Sequence, residues 1–256
     1  ITLPKSRDHF AQVAYLVGLL YGDGSVRASL NNSDAQILAA AEKALGRVFG
    51  VAATSVVDKR TGSRRLDHHG GMTLIKFLEE ICDYPSSKKA RSLKAPWLFL
   101  VMDNQILASF LRGLYDTDGY VEKSARSVGL TTASPDLAKR VSLALLRFGI
   151  LSRLSRRGKY TILRVSGSNC IRFVRRVGFG KKAKQAALMK IARRSLIDRK
   201  SGFVPVSPEI LRDLRVHLAL PRSDSAIPFY SHLESGRIRV SRENLTAIAR
   251  FLGSFT

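Results

Sequence analysis

Leu16-Val17-Gly18-Leu19-Leu20-Tyr21-Gly22-Asp23-Gly24 returns 95 positions later as Leu111-Arg112-Gly113-Leu114-Tyr115-Asp116-Thr117-Asp118-Gly119. Both stretches read Leu-x-Gly-Leu-x-x-x-Asp-Gly. Leu16, Leu19 and Leu20 fall on one stripe of a helix, and Leu111, Leu114 and Tyr115 repeat it. Gly18 and Gly22, four apart, flatten a second face; Gly113 and Thr117 do the same. Small residues at this spacing let another backbone approach closely, and the simplest partner for each small face is the other. The sequence therefore predicts two motif helices packed about a pseudo-twofold axis.

Asp23 and Asp118 then end those helices. A carboxylate there meets the negative end of the helix dipole, at a cost of ~0.3–1 kcal/mol, and two like charges brought together cost more. A divalent cation reverses the sign of that field. The carbonyls freed at the helix ends, those of Gly22 and Thr117, are hard oxygen ligands suited to Mg²⁺. Metals held this way hydrolyse phosphodiesters. Asp116 is matched by Tyr21 in the first copy, so it reads as structural.

The duplication extends outward. Asn32-Ser33-Asp34 precedes an apolar helical run from Ile37 to Phe49, and Thr132-Ala133-Ser134-Pro135 precedes one from Leu137 to Phe148. Ser33 and Ser134 are expected N-caps, and Gly50 and Gly149 expected stops. Basic strand pairs follow: Ala53 to Arg60 with Ser63 to His69, and Leu151 to Arg157 with Lys159 to Ser166. Glycines at the joints fit hairpin turns. Short helices are expected over Leu74 to Ile81 and Ile171 to Val177, each followed by a Lys-rich segment. Tyr120 to Lys123 and Ser127 to Thr131 form an additional hairpin in the second half. The corresponding stretch of the first half is shorter, so its hairpin is expected to be clipped. From Ser201 the pattern changes to proline-punctuated helices near Pro208 to Leu220, Ile227 to Glu234 and Arg242 to Leu252. The expected domains are 1–102, 103–200 and 201–256.

The 256 residues carry 43 Lys and Arg against 20 Asp and Glu, a formal charge of +23. Such an excess attracts polyanions, nucleic acid first. No apolar run is long enough to span a bilayer, and no secretion signal is visible. A cytoplasmic, nucleoid-associated protein is expected. Cys82 and Cys170 lie in apolar helical patterns and read as free thiols; no Cys or His pairs sit at zinc spacing. The chain begins at Ile1, as a fragment or processed product would.

These motifs resemble LAGLIDADG, and the chain resembles single-chain LAGLIDADG homing endonucleases over residues 8 to 200. Ser134 to Ile150 and Gly178 to Ile191 are similar to the intein-associated branch. The resemblance implies an α+β fold: two αββαββα repeats forming a DNA-binding saddle, here with a small C-terminal all-α domain. It implies a monomer that binds a long asymmetric site in double-stranded DNA. It further implies Mg²⁺ held at Asp23 and Asp118 and cutting of both strands across the minor groove to leave 3′ overhangs. Mn²⁺ is expected to substitute, and Ca²⁺ to support binding without cleavage. A lysine near the metal in each repeat maps onto Lys88 and Lys182, with Lys89, Lys94, Lys181 and Lys184 as rivals. No Cys or Ser starts the chain and no His-Asn ends it, so no splicing activity is expected.

Strands place alternate residues on one face. Arg153 and Arg157, with Arg164 on a neighbouring strand, are candidates for the DNA-reading surface. Lys59, Arg64 and Arg65 serve in the first half, and Lys123, Arg126 and Lys159 near the turns. Arginine suits both guanine edges and phosphates. The stretch from Tyr230 to Gly236, followed by Ser241 to Leu252, is similar to later helices of lambda-repressor-type helix-turn-helix domains; Arg237 and Arg239 are its best phosphate contacts. Two other readings stand beside the nuclease. One is a non-catalytic regulator resembling bacterial transcription factors that join a decayed LAGLIDADG domain to a helix-turn-helix. The other is an RNA maturase.

Overall fold

The computed structural model describes residues 6–57, 59, 62–69, 71–124, 126–197, 204, 206–217, 219, 230–238 and 240–252. The first half runs α1 (Arg7–Asp23), β1 (Leu30–Asn32), α2 (Ala35–Ala44), β2 (Ala53–Val57), β3 (Arg64–His68), α3 (Met72–Lys76), α4 (Lys89–Ser92) and α5 (Trp97–Val101). The second runs α6 (Asn104–Thr117), β4 (Gly119–Glu122), β5 (Ser127–Thr132), α7 (Pro135–Leu146), β6 (Arg153–Arg157), β7 (Tyr160–Ser166), α8 (Ser168–Arg176) and α9 (Lys182–Ile197). Then come α10 (Pro208–His217), α11 (Tyr230–Glu234) and α12 (Arg242–Leu252). The architecture is α+β, as expected, with two antiparallel sheets. Residues Ile1–Ile197 and Asp198–Thr256 form two compact units. No helix among the described residues is long and apolar enough to cross a membrane.

The motif helices α1 and α6 pack on their small residues. A methyl group added to Gly18 would lie 2.2 Å from the Phe110 carbonyl oxygen, and one on Gly113 2.2 Å from that of Tyr15. Each glycine thus admits the other helix's backbone. The reciprocity continues at flanking positions: Tyr15 and Phe110 correspond, as do Tyr21 and Asp116. The Tyr15 hydroxyl donates to the Asp116 carboxylate at 2.8 Å, while the Phe110 and Tyr21 rings meet edge-on at 5.5 Å. Asp116 also accepts from the backbone amides of Gly180 and Lys181, each at 3.0 Å. It is 1% exposed, so its carboxylate staples the approach to α9, a structural role.

Among the described residues the second sheet has four strands in the order β4-β5-β7-β6 and the first has three in the order β1-β3-β2. The clipped hairpin survives as β1 and an isolated bridge between Gly24 and Leu30. Two corrections concern helix ends. Asp34, not Ser33, caps α2, accepting from the Gln36 amide at 2.9 Å, whereas Ser134 caps α7 as expected. Further, α2 and α3 each run on into a π turn, Leu45–Phe49 and Phe77–Ile81. Cys82 and Cys170 are free and buried.

In the C-terminal unit, α10, α11 and α12 close over a core of Leu211, Tyr230, Leu233, Val240 and Ile248. Arg215 and Glu234 pair at 2.9 Å inside it. The expected start of α11 at Ile227 lies outside the described residues.

Candidate active site and nucleic-acid interface

Asp23 is the last residue of α1 and Asp118 caps α6, so the helix crossing brings the two acids to one place. A methyl on Gly22 would touch the Thr117 side chain and lie 3.1 Å from Asp118 Oδ1. Burial and the Asp23 charge push the Asp118 carboxyl up to about 6. Burial also raises Asp23, offset by a hydrogen bond from Asn32 and by nearby lysines.

The two acids are not equivalent. Asn32 Nδ2 donates to Asp23 Oδ2 at 2.7 Å. Asn32 Oδ1 accepts from the Asp34 amide, as Thr132 Oγ1 accepts from that of Ser134, so Asn32 and Thr132 correspond. Threonine has no amide to offer, and among the described residues no hydrogen bond to the Asp118 carboxylate is recorded.

The ammonium groups at the helix ends belong to Lys89 and Lys184. Lys89 Nζ donates to the carbonyls of Gly22, at 2.9 Å, and Gly24. Lys184 Nζ donates to those of Tyr115, Asp116, Thr117 and Gly119. Burial lowers both: Lys89 to about 8 against the pull of Asp118 and Asp23, and Lys184 with help from Lys181 and against the pull of Asp116 first, then Asp23 and Asp118. Lys88 and Lys182 are exposed, which corrects the expectation from sequence: one residue earlier at α4, or two at α9, the side chain leaves the helix-end pocket. A signal was available, because Lys89 and Lys184 each lie 66 positions after their aspartate.

The same contacts revise the expected ligands. The Gly22 and Thr117 carbonyls already accept from ammonium groups, so a cation there would face a positive neighbour. Among the described residues no cluster of three or more His, Cys, Asp or Glu forms a metal cage. Two half-buried, mutually repelling carboxylates nonetheless suit Mg²⁺, which commonly uses one or two carboxylates and completes its shell with water and substrate phosphate.

On the second sheet Arg153 pairs with Arg164, Ser155 with Ile162, and Arg157 with Tyr160. Directly opposed residues share a face, so Arg153, Arg157 and Arg164 stand together outward, while Val128, Leu130, Leu163 and Val165 face the core. Arg164 is ion-paired to Glu122 at 3.1 Å. On the first sheet the outward row holds Asn31, Thr54, Val56, Arg65 and Asp67. Arg65 and Asp67 pair at 2.8 Å. Arg64 falls on the opposite face, with Leu66, because neighbours along a strand alternate; this corrects the grouping of Arg64 with Arg65. Lys59, Lys123, Arg126 and Lys159 lie in exposed turns. Arg237 is exposed in the C-terminal unit, and Arg239 lies outside the described residues.

Residues 105–178 match the family described as the LAGLIDADG-like domain. The fold superposes on the homing endonuclease I-DmoI with a TM-score of 0.55 at 15% identity, covering 72% of this chain and 100% of that one, in a structure with DNA and Ca. Full-length DUF199/WhiA from Thermatoga maritima superposes with a TM-score of 0.52 at 12% identity, covering 85% of this chain and 69% of that one. At such identities the likeness is one of fold. By sequence the chain is 33% identical over 239 residues to a probable translation initiation factor IF-2 of Thermococcus kodakarensis, covering 92% of this chain and 20% of the factor. It is 28% identical over 243 residues to a subunit of the A-type ATP synthase of Methanopyrus kandleri, covering 90% of this chain and 22% of that protein. The chain thus spans about a fifth of the length of these relatives.

Proposed function

We propose that the chain is a site-specific endonuclease that cuts both strands of DNA with a divalent cation, carried as an insert within larger proteins. The observation that carries this reading is the pair of aspartates ending twin helices, each with its own half-buried lysine. The insert reading is supported by the relatives. Alignments with an initiation factor and with part of an ATP synthase each cover at least nine tenths of this chain, so one segment recurs within proteins of unrelated activity. An intein-associated endonuclease fits that distribution.

Asp23 and Asp118 would hold the cation, with Mg²⁺ first and Mn²⁺ a substitute. When bound it would supply positive charge against the scissile phosphates. Lys89 and Lys184, each tethered to carbonyls of its own helix end, supply charge for the departing 3′ oxygens. Asn32 fixes the orientation of Asp23. Duplex DNA lies along the outward faces of the two sheets, gripped by Arg153, Arg157, Arg164 and Arg65 and by the turn lysines. Cutting across the minor groove then leaves 3′ overhangs. Monomeric action follows from both half-sites residing in one chain.

A second reading, a DNA-binding regulator without cleavage, is favoured by the C-terminal helical unit and the extent of the match to DUF199/WhiA. Retention of both acids and both lysines weighs against it. A library of randomised duplexes, incubated with protein and Mg²⁺, decides between them. We expect linear products with 3′ overhangs from a defined site. Asp23→Asn and Asp118→Asn should each abolish double-strand cleavage while binding in Ca²⁺ persists. Tight binding by the unaltered protein with no nick in Mg²⁺ or Mn²⁺ would establish the regulator instead.

A further inference from the structure

The outward face of the second sheet carries an apolar island among its arginines. Tyr120 on β4, Thr131 on β5, and Tyr160 and Ile162 on β7 line a depression of about 560 Å³, with Arg157 and Lys159 at its rim. Register puts all of them on one face: Thr131 opposes Ile162, and Tyr160 opposes Arg157. The depression is shaped by a missing side chain. Gly129 opposes Tyr120, and a methyl there would lie 2.2 Å from the tyrosine ring; the ring therefore lies down across the strand and presents an apolar surface. Lys159 Nζ sits 5.4 Å from the Tyr160 ring centroid, keeping a cation at the edge. Tyr160 is 43% exposed.

Charge complementarity decides the occupant. The rim is cationic and the outward Arg153 is cationic too, while Arg164 is balanced by Glu122; the face stays net positive, so the partner is a polyanion with an apolar feature at its edge. In duplex DNA that feature is the C5-methyl of thymine, which projects into the major groove and is met by threonine methyl and aromatic side chains. We propose that this depression is a specificity subsite for thymine methyl groups in the half of the target covered by the second sheet. The matching face of the first sheet bears Asn31, Thr54, Val56, Arg65 and Asp67; Val56 is its apolar side chain and no aromatic ring stands in that row, so the preference is weighted to the second sheet. The inference rests on the DNA-binding reading above.

The test removes methyl groups alone. Duplexes selected for binding from a randomised library are titrated in Ca²⁺ buffer against copies with one thymine at a time replaced by deoxyuridine. This leaves the hydrogen-bonding edges unchanged. At one position, or two neighbours, affinity should fall about fourfold, the worth of one buried methyl at about 0.8 kcal/mol. Replacing Ile162→Ser should bring the thymine-to-deoxyuridine ratio there to about one, with other positions unaffected. If no thymine matters by more than about 1.5-fold, well under one methyl's worth, while binding stays tight and salt-dependent, the subsite is overturned and the DNA-binding reading stands. A selected consensus without thymine overturns it equally. Failure to select any duplex would remove the DNA-binding reading and this one together.

Discussion

Asp118 is held at a helix end, partly buried, facing a second acid. Its ordinary value of 3.8 is raised to about 6, so the folded chain binds this proton more tightly than the unfolded chain does. Below about pH 4 the group is protonated in both states and ionisation costs nothing; through pH 6 the cost grows, and above it the cost is full. About two units at 1.36 kcal/mol each amount to roughly 3 kcal/mol. Asp118→Asn should therefore be more stable than the unaltered protein by about 2–3 kcal/mol at pH 7.5 in chelator, with the gain vanishing near pH 4. Saturating Mg²⁺ should shrink it. Urea melts at the two pH values measure this, and an unchanged or lowered stability at pH 7.5 would contradict the site. The asymmetry at Asn32 makes a second prediction. Asn32→Leu removes the hydrogen bond that orients Asp23 and the acceptor for the Asp34 amide, both in the first repeat. End-labelled duplexes should show one strand cut at least about tenfold more slowly, a loss of some 1.4 kcal/mol in the transition state, with the other strand little changed. Bound Mn²⁺, counted by its electron paramagnetic resonance signal, should weaken at one half-site. A mere folding defect would slow both strands alike. The aspartates were legible in the sequence because they recur with their whole motif. The lysines map from sequence onto Lys88 and Lys182, one and two positions early, since a Lys-rich run offers several neighbours; the equal spacing of Lys89 and Lys184 from their aspartates is the signal that separates them. Asn32 was invisible because its role depends on a clipped strand that returns it to the helix end.

At the scale of elements, the contact between α1 and α6 is made of backbone against backbone. Gly18 and Gly113 each face a partner carbonyl 2.2 Å from where a methyl would sit. Neither atom can yield without parting the helices. Gly18→Ala and Gly113→Ala should each cost about 1–3 kcal/mol, toward the upper end, and should slow cleavage of both strands, because parting the helices moves both acids. Gly46 is the control. It lies in the π turn after α2, where a methyl meets nothing within 4 Å. Gly46→Ala should leave cleavage unchanged and gain up to about 0.5–1 kcal/mol. Equal effects at Gly46 and Gly113 would deny the close crossing. This contact was readable from four-residue spacing alone. The π turns were not, because a helix widens by one residue in response to what packs on it, and the Phe49 and Phe77 rings meet tilted, 5.8 Å apart, across two elements far apart in sequence. The short helices α4 and α5 were missed for a related reason. Lys89–Ser92 is too brief for a period, and Trp97–Val101 reads as an unbroken apolar run.

Within the whole molecule's excess charge of +23, Arg65, Arg153, Arg157 and Arg164 stand on the outward faces of the strands, while Lys59, Lys123, Arg126 and Lys159 occupy exposed turns. On the proposed reading the strand arginines reach base edges as well as phosphates. A turn lysine at the border of a duplex meets the sugar-phosphate backbone, which carries no sequence information. If about 6–10 phosphates are neutralised, binding should weaken ~10³–10⁵-fold between 50 and 200 mM salt. Lys123→Ala and Lys159→Ala should each lower the slope of log affinity against log salt by about 1 and weaken selected and unrelated duplexes by the same factor. Arg153→Ala should instead narrow the gap between selected and unrelated duplexes, because a strand residue contributes to discrimination. Fluorescence anisotropy at four salt concentrations, on one selected and one scrambled duplex, separates the two behaviours. A turn-lysine variant that keeps the full slope but loses preference for the selected site would reverse this division of labour and place the base-reading surface at the turns, not on the sheets.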